Sequence, residues 1–447
     1  MPTVLLKGVT RMLRDKYDVQ EFVEENDIKF IRLQFLDING KLQNIAITSN
    51  QLMKAFDEGI SFDASSVKGF LNIEKSDLLL FPDAGTAKIL PWRPQQGRVA
   101  RFICDIKYSD GTPFEGDSRL ILKKLSKKCK NMGYDFQVGS ECEFFLFKTD
   151  AQGAPTTIPL DNAGYCDVAP LDMGENTRRE VCLTLEDMGF VIESSHHESA
   201  SGQHEIDFRY SDVMTAADNL TTFKTVVKTI AQRNGLYASF MPKPLMNKSG
   251  SGLHINMSLF KDGINVFADE DNQITDLAKK FMAGILNHIK AICAFSNPLV
   301  NSYKRLVAGY EAPVHISWSN LNRSTLIRVP ACTSRDSKRI ELRNPDPACN
   351  HYLTLALILA AGMDGIEKDM QLSPSLEANA YNLSDGTLDK LPDNLYHAIE
   401  YMRNSEFIRN TLGDHIVDKY IEIKLAEWYD YNRNVSEWEI NRYLSTF

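Results

Sequence analysis

Four short segments carry the residues that could do chemistry. In residues 139–147, GSECEFFLF, the alternation of a strand puts Glu141 and Glu143 on one face and Cys142, Phe144 and Leu146 on the other. In 337–343, SKRIELR, the same period aligns Arg339, Glu341 and Arg343, with Ile340 and Leu342 behind them. In 250–258, GSGLHINMS, His254, Asn256 and Ser258 share a face, after a Gly-Ser-Gly stretch whose backbone can approach a ligand closely. In 195–208, SHHESASGQHEIDF, Glu198 and Glu205 flank a Ser-Gly turn that a hairpin can bring together. Singly, each has an ordinary explanation: a solvated strand edge, a surface ion-pair ladder, a hydrogen-bonded histidine. Together they place five glutamates and one histidine on strands backed by Phe, Ile and Leu, which are hard to solvate at once. At about 4 Å and an effective dielectric near 20, each like-charge pair costs on the order of 4 kcal/mol. Divalent cations remove that cost, and oxygen-rich ligation with a single imidazole suits Mg²⁺ or Mn²⁺ better than zinc.

Those strands need a frame. Val19 to Asn26 reads as a short helix, followed by Ile31, Leu33 and Phe35 alternating with Arg32 and Gln34 as in a half-buried strand. Asn39-Gly40 tolerates the positive φ angles of a type I′ turn, so KFIRLQFLDINGKLQNIAI reads as one β-hairpin opening a small sheet-rich domain. The punctuation DGTPFEGD at 110–117 suits a domain boundary, giving 1–112 and 113–447. Beyond it strands mix with long amphipathic helices, and the last helix opens with Ser436 and Glu439 spaced as a capping box behind Val435.

A chain of 447 residues exceeds the usual size of one hydrophobic core. With 43% hydrophobic and 24% charged residues it reads as an ordinary globular protein. Its net charge of −9, without a Lys/Arg block, recruits neither nucleic acid nor an anionic membrane. The opening MPTVLLKGVT lacks the basic stretch and cleavage site of a secretory signal, and no apolar run is long enough for a membrane helix. Eight scattered cysteines without a C-x-x-C pair fit a reducing, cytoplasmic setting.

The segments FDASS (62–66), ECEFFLF (141–147), HHESASGQHEIDF (196–208), FMPKP with GSGLH (240–254), NSYKRLVAGYEAP (301–313), NRSTLIRVP (322–330) and RIELRNPDPACN (339–350) resemble, in order and spacing, those of type I glutamine synthetases. The resemblance implies an α+β fold: a small N-terminal β-grasp domain, then a C-terminal α/β catalytic domain whose curved, mainly antiparallel sheet forms a funnel-like site. It implies ATP-dependent ligation of ammonia to glutamate through γ-glutamyl phosphate. The partners it implies are glutamate, ammonium and ATP, in a homo-oligomer of two hexameric rings, a dodecamer whose active sites are shared between subunits. Regulatory proteins are further candidate partners.

Carried over by position, one metal site takes Glu143, Glu198 and Glu205 and a second takes Glu141, His254 and Glu341. ATP falls to Glu193, Asn256, Ser258, Arg323 and Arg328, and glutamate to Ser249, Gly250, Arg305, Glu311 and Arg343. Asp63 from a neighbouring subunit, Ser66, Tyr165, Glu198 and Glu311 form the ammonium pocket, and Asp63, Glu311, Arg323 and Arg343 are the catalytic group.

The chain departs from the family's pattern at Ala64 in Asp63-Ala64-Ser65-Ser66, at Ser249 before Gly250, and at Asn72, where an arginine is common. Ala64 fits only if its φ is not required to be positive. Tyr381 lies near a position adenylylated in some relatives but lacks their flanking residues, and reads as an ordinary tyrosine. A γ-glutamyl ligase for a larger amine, such as a polyamine or ethanolamine, is the nearer alternative. A silent nitrogen-sensing relative is the more distant one.

Overall fold

The computed structural model describes residues 13–384 and 386–447, so the opening segment weighed as a signal lies outside the described residues. Near the N-terminus the helix Lys16–Glu25 starts earlier than its apolar spacing indicates, because Asp15 caps it by accepting from the N–H groups of Tyr17 and Asp18. Val19 and Val23 seat it on a sheet ordered Leu42–Thr48, Ile28–Leu36, Arg98–Lys107, Asp77–Pro82, Ile60–Asp63. Ile31, Leu33 and Phe35 point into this core, as their alternation requires.

The hairpin forms, with Leu36 opposite Leu42, but its turn is not type I′. Of Asn39 and Gly40, only Gly40 has positive φ, and its N–H donates to the carbonyl of Asp37 at 3.0 Å. The Asp37 carboxylate ties the loop further by accepting from the N–H groups of Asn39 and Lys41. The tip is fastened across the chain, since Asn350 Nδ2 donates to the carbonyls of Asp37 and Ile38 at 3.2 and 3.3 Å. A Cβ on Gly40 meets Asn350 Cα at 2.7 Å, so tertiary contact as well as φ requires glycine there.

The second sheet runs Leu236–Ser239, Phe144–Thr149, Gln203–Phe208, Asp135–Cys142, Leu253–Lys261, Ile340–Leu342, Ile327–Val329, Trp318–Asn320, curling into a half-barrel. It is antiparallel except where Trp318–Asn320 and Ile327–Val329 pair in parallel. The helices Val213–Arg233, Asp276–Ser296 and His351–Glu367 supply much of the large core behind it, which leaves the other face free for polar side chains. The two layers are joined by polar contacts: Arg101 donates to Thr222 Oγ1 at 2.6 Å, and Arg119, paired with Asp218 at 3.0 and 2.9 Å, also donates to Asp105 of the first sheet at 3.0 Å. The capping box of Ser436 and Glu439 forms and opens the helix Glu437–Tyr443. No helix among the described residues is long and apolar enough to cross a membrane.

Candidate active site

Strand pairing brings the four chemical segments together. His254 stands opposite Glu141, and Asn256 lies opposite Gly139 on one side and Glu341 on the other. The carboxylates of Glu141 and Glu341 therefore approach His254 Nδ1 at 3.2 and 3.5 Å. Glu143 is not within a continuous strand: it occupies the break between Asp135–Cys142 and Phe144–Thr149, where its N–H donates to the carbonyl of Gly252. Its side chain still enters the same space, accepting from the Gly252 N–H at 2.9 Å and Gln203 Nε2 at 2.8 Å. Ile192–His197 and Gln203–Phe208 form the expected hairpin and carry Glu198 and Glu205 to His196 Nε2, at 3.0 and 3.9 Å.

These groups line a cavity of about 620 Å³ whose wall carries Glu141, Glu143, Glu198, Glu205 and His254 together with Arg305, Arg323, Arg328, Arg339 and Arg343. Tyr165, Ser249, Gly250 and Glu311 complete its wall. Glu341 sits just behind, 1% exposed, held by Arg328 Nη1 at 2.9 Å and Arg343 Nη1 at 2.5 Å. An adjoining cavity of about 230 Å³ holds Glu193, Asn256 and Ser258 beside Tyr210 and Lys338, and shares Glu141 and Arg339 with the first.

Proton affinities divide across the carboxylates. Burial opposes ionisation of Glu141, but His254 and Asn256 outweigh it and hold that carboxyl at about 2. Glu205 is pushed up to about 11, first by burial and then by the charges of Asp207, Glu143, Glu141 and Glu198. Burial also raises Glu143, against the pull of His254 and with Glu198 adding to the rise. So many buried carboxylates cannot all ionise without a compensating positive charge. Ligand atoms of Glu141, His254 and Glu341 lie within 4.8 Å of one another, as do those of His196, Glu205 and Asp207. The donor set thus fits divalent cations through oxygen and one or two imidazoles.

Residue spacing did not single out His196, Asp207, Gln203 or Tyr310, all of which line the larger cavity. A signal was present for His196 and Asp207, each two residues from a selected glutamate along a strand or its end, whereas Gln203 and Tyr310 gave none. Asp63 and Ser66 do not line the cavity of their own chain: they sit at the end of the N-terminal sheet, the Asp63 carboxylate accepting from Ser65 and Ser66 hydroxyls at 2.6 and 2.7 Å. Ala64 is buried in the short turn Ala64–Ser66 without positive φ, so glycine is not needed there. Arg305 spends its guanidinium on the carbonyls of Arg343, Asn344 and Pro345, which fixes the wall around Gly250. Glu311 has φ of +60°, and its carbonyl accepts from Arg343 Nη2 at 3.3 Å. The Tyr381 hydroxyl is buried, and Asn72 meets Lys419 Nζ at 3.4 Å.

Two family models match, "Glutamine synthetase, beta-Grasp domain" over residues 27–109 and "Glutamine synthetase, catalytic domain" over 115–443. The chain is 54% identical over 439 residues to a glutamine synthetase of Clostridium saccharobutylicum, covering 97% of this chain and 99% of that one. It is 51% identical over 437 residues to one of Methanosarcina mazei, covering 96% and 98%. Among solved structures it is similar to one described as "GmaS/ADP complex-Conformation 1", at 30% identity and TM-score 0.88 over 97% of this chain and all of that one. It is also similar to a Plasmodium falciparum glutamine synthetase, at 26% identity and TM-score 0.85 over 96% and 98% of the two chains. With both domains matched and half of the residues shared along nearly the whole length, the chain belongs to the glutamine synthetase family.

Proposed function

We propose that the chain joins ammonia to the γ-carboxylate of L-glutamate with ATP, releasing L-glutamine, ADP and phosphate. The observation that carries this reading is a cavity lined by both a bank of carboxylates and five guanidiniums, with a second cavity that shares Glu141 and Arg339 with it. The glutamate carboxylate has no good leaving group, so it is first phosphorylated: a carboxylate oxygen bonds the γ-phosphorus of ATP and ADP departs. Glu193, Asn256 and Ser258 hold the nucleotide in the smaller cavity, and Arg323 and Arg328 meet the transferring phosphoryl oxygens. Arg343, Ser249 and Gly250 hold glutamate, with Arg305 bracing them. Divalent cations, Mg²⁺ or Mn²⁺, at least two per site, would be held by Glu143, Glu198 and Glu205 and by Glu141, His254 and Glu341, and when bound would neutralise phosphate oxygens.

Ammonium lacks a lone pair. It binds among Glu198, Tyr165 and Glu311 and loses a proton to Asp63, and the nitrogen then attacks the acyl carbon. The carbon–oxygen bond to phosphate breaks, and the Glu311 carboxylate takes a further proton. Glu311 and Tyr310 exclude water from the acyl phosphate. Because Asp63 and Ser66 lie outside the cavity of their own chain, they serve a neighbouring subunit in a homo-oligomer, which we take to be two stacked hexameric rings. The boundary at 112/113 then separates the sheet that lends Asp63 from the sheet that holds the cavity. The test is ATP-dependent amide formation with ammonia against methylamine, ethanolamine and putrescine at matched free-base concentration. Comparable turnover of a larger amine moves the assignment to a γ-glutamyl ligase for that amine, and no turnover of any makes the chain a silent relative.

A further inference from the structure

Beneath the amine-binding wall lies a buried cluster that the reaction above does not use. His197 and Asp161 have side chains 0% and 1% exposed, with His197 Nε2 and Asp161 Oδ1 at 3.0 Å. His197 Nδ1 lies 2.6 Å from the carbonyl of Glu198, which can only accept, so that nitrogen donates. The His197 carbonyl in turn accepts from the Cys166 N–H at 3.0 Å, next to Tyr165. Asp161 also receives the N–H groups of Gly202 and Met173, each at 3.0 Å, clamping the far end of the turn that carries Glu198. The His197 side chain therefore holds the Glu198 carbonyl, and its main chain holds Cys166, the residue after Tyr165.

Asp161, His197 and His204 together have ligand atoms close enough for a metal centre, but Asp161 and both nitrogens of His197 are already engaged, which leaves His204 Nε2 as the one nitrogen of the three residues without a hydrogen-bond partner. Both nitrogens of His197 are bonded, and His204 Nδ1 accepts from Arg178 Nη1 at 2.9 Å. Arg178, paired twice with Asp172 at 3.0 and 2.7 Å, fixes a positive charge beside the cluster and opposes a cation. The cluster is a brace.

We propose that His197, through the bond from Nδ1 to the Glu198 carbonyl, is a positioning residue that sets Glu198 for ammonium and for the cation that Glu198 helps to hold. This rests on the reaction assigned above. Two variants separate positioning from bulk stability. In His197→Asn the amide nitrogen takes the place of Nδ1 and keeps the bond to the Glu198 carbonyl, while the bond to Asp161 is lost. In His197→Ala both are lost. Both variants melt below the parent, because both take the imidazole from Asp161 and leave it backbone N–H groups alone, those of Gly202 and Met173 among them.

His197→Ala is expected to raise the ammonium KM by about tenfold or more and to weaken Mn²⁺ binding, titrated on the nucleotide-free protein, by a similar factor, the usual scale for removing a group that orients a ligand. The ATP KM is expected to stay within about threefold, and His197→Asn to recover ammonium KM and Mn²⁺ binding to within about threefold of the parent. The proposal is overturned if both quantities follow the melting temperature alike in the two variants, or if the ATP KM rises as far as that for ammonium. If the parent makes no amide from ammonia, the assigned reaction fails, and the Mn²⁺ titration still decides whether His197 positions Glu198.

Discussion

Replacing Glu341 tests the ion pairs and the cation site together. Its carboxylate is 1% exposed and lies between Arg328 at 2.9 Å and Arg343 at 2.5 Å, with His254 at 3.5 Å. Glu341→Gln keeps the shape but removes the negative charge and sets an NH₂ donor against one of the two guanidiniums, so the chelated protein loses about 1–3 kcal/mol. Glu341→Ala strands two guanidiniums that are largely buried and costs about 3–5 kcal/mol. A cation at a hundred times its dissociation constant stabilises the parent by about 2.7 kcal/mol. If loss of one ligand weakens binding about tenfold, the same concentration gives a variant only about 1.4 kcal/mol. Thermal melting of the chelated proteins should therefore rank parent above Gln above Ala, and Mn²⁺ should raise the parent's melting temperature about twice as far as either variant's. Parental melting of Glu341→Ala without metal would refute the buried ion pairs, and an equal Mn²⁺ response in all three would remove Glu341 from the cation site.

Gly250→Ala puts a Cβ 2.2 Å from the carbonyl oxygen of Pro242 and 3.3 Å from Arg305 Cγ, so steady-state kinetics should show the glutamate KM rising several-fold. An unchanged glutamate KM would show that this wall does not contact glutamate. Asp63→Ala and Glu341→Ala subunits, each inactive alone, should recover part of the activity when co-assembled, whereas full activity in an isolated monomer would exclude shared sites. Ammonia should exceed methylamine and putrescine by at least about tenfold in kcat/KM, since each N–H replaced by carbon leaves a carboxylate or hydroxyl acceptor of the closed pocket unpaired at a cost of about 1–3 kcal/mol. Asp161 should shape the acid limb of stability. Burial raises its carboxyl, but the His197 bond and the N–H groups of Met173 and Gly202 outweigh this and hold it at about 2. Being lowered in the folded state, it contributes stability that is present above about pH 4 and lost as pH falls towards 2. Acid unfolding of Asp161→Asn should be flatter across that range, and an unchanged profile would contradict the buried pair.

Local periodicity in the sequence was enough to place Glu141, His254 and Glu341 on polar faces with Ile and Leu behind, because a strand's alternation is a property of consecutive residues. The hairpin at 28–48 and the Ser436 capping box were legible for the same reason. What the sequence could not determine alone was which face meets which. The registers that set Glu141 opposite His254 and Asn256 opposite Glu341 join strands over a hundred and over eighty residues apart. The turn at Asn39-Gly40 departed from its local preference because Asp37 and Asn350 supply hydrogen bonds that a two-residue turn cannot use. Glu143 left its strand to take the Gly252 N–H and Gln203 as partners. His197 and Asp161 read as unremarkable residues thirty-six apart until folding buries them against each other. Proton affinity was likewise decided only in three dimensions: glutamates 141 and 205 share one side chain, and their surroundings hold one at about 2 and push the other to about 11.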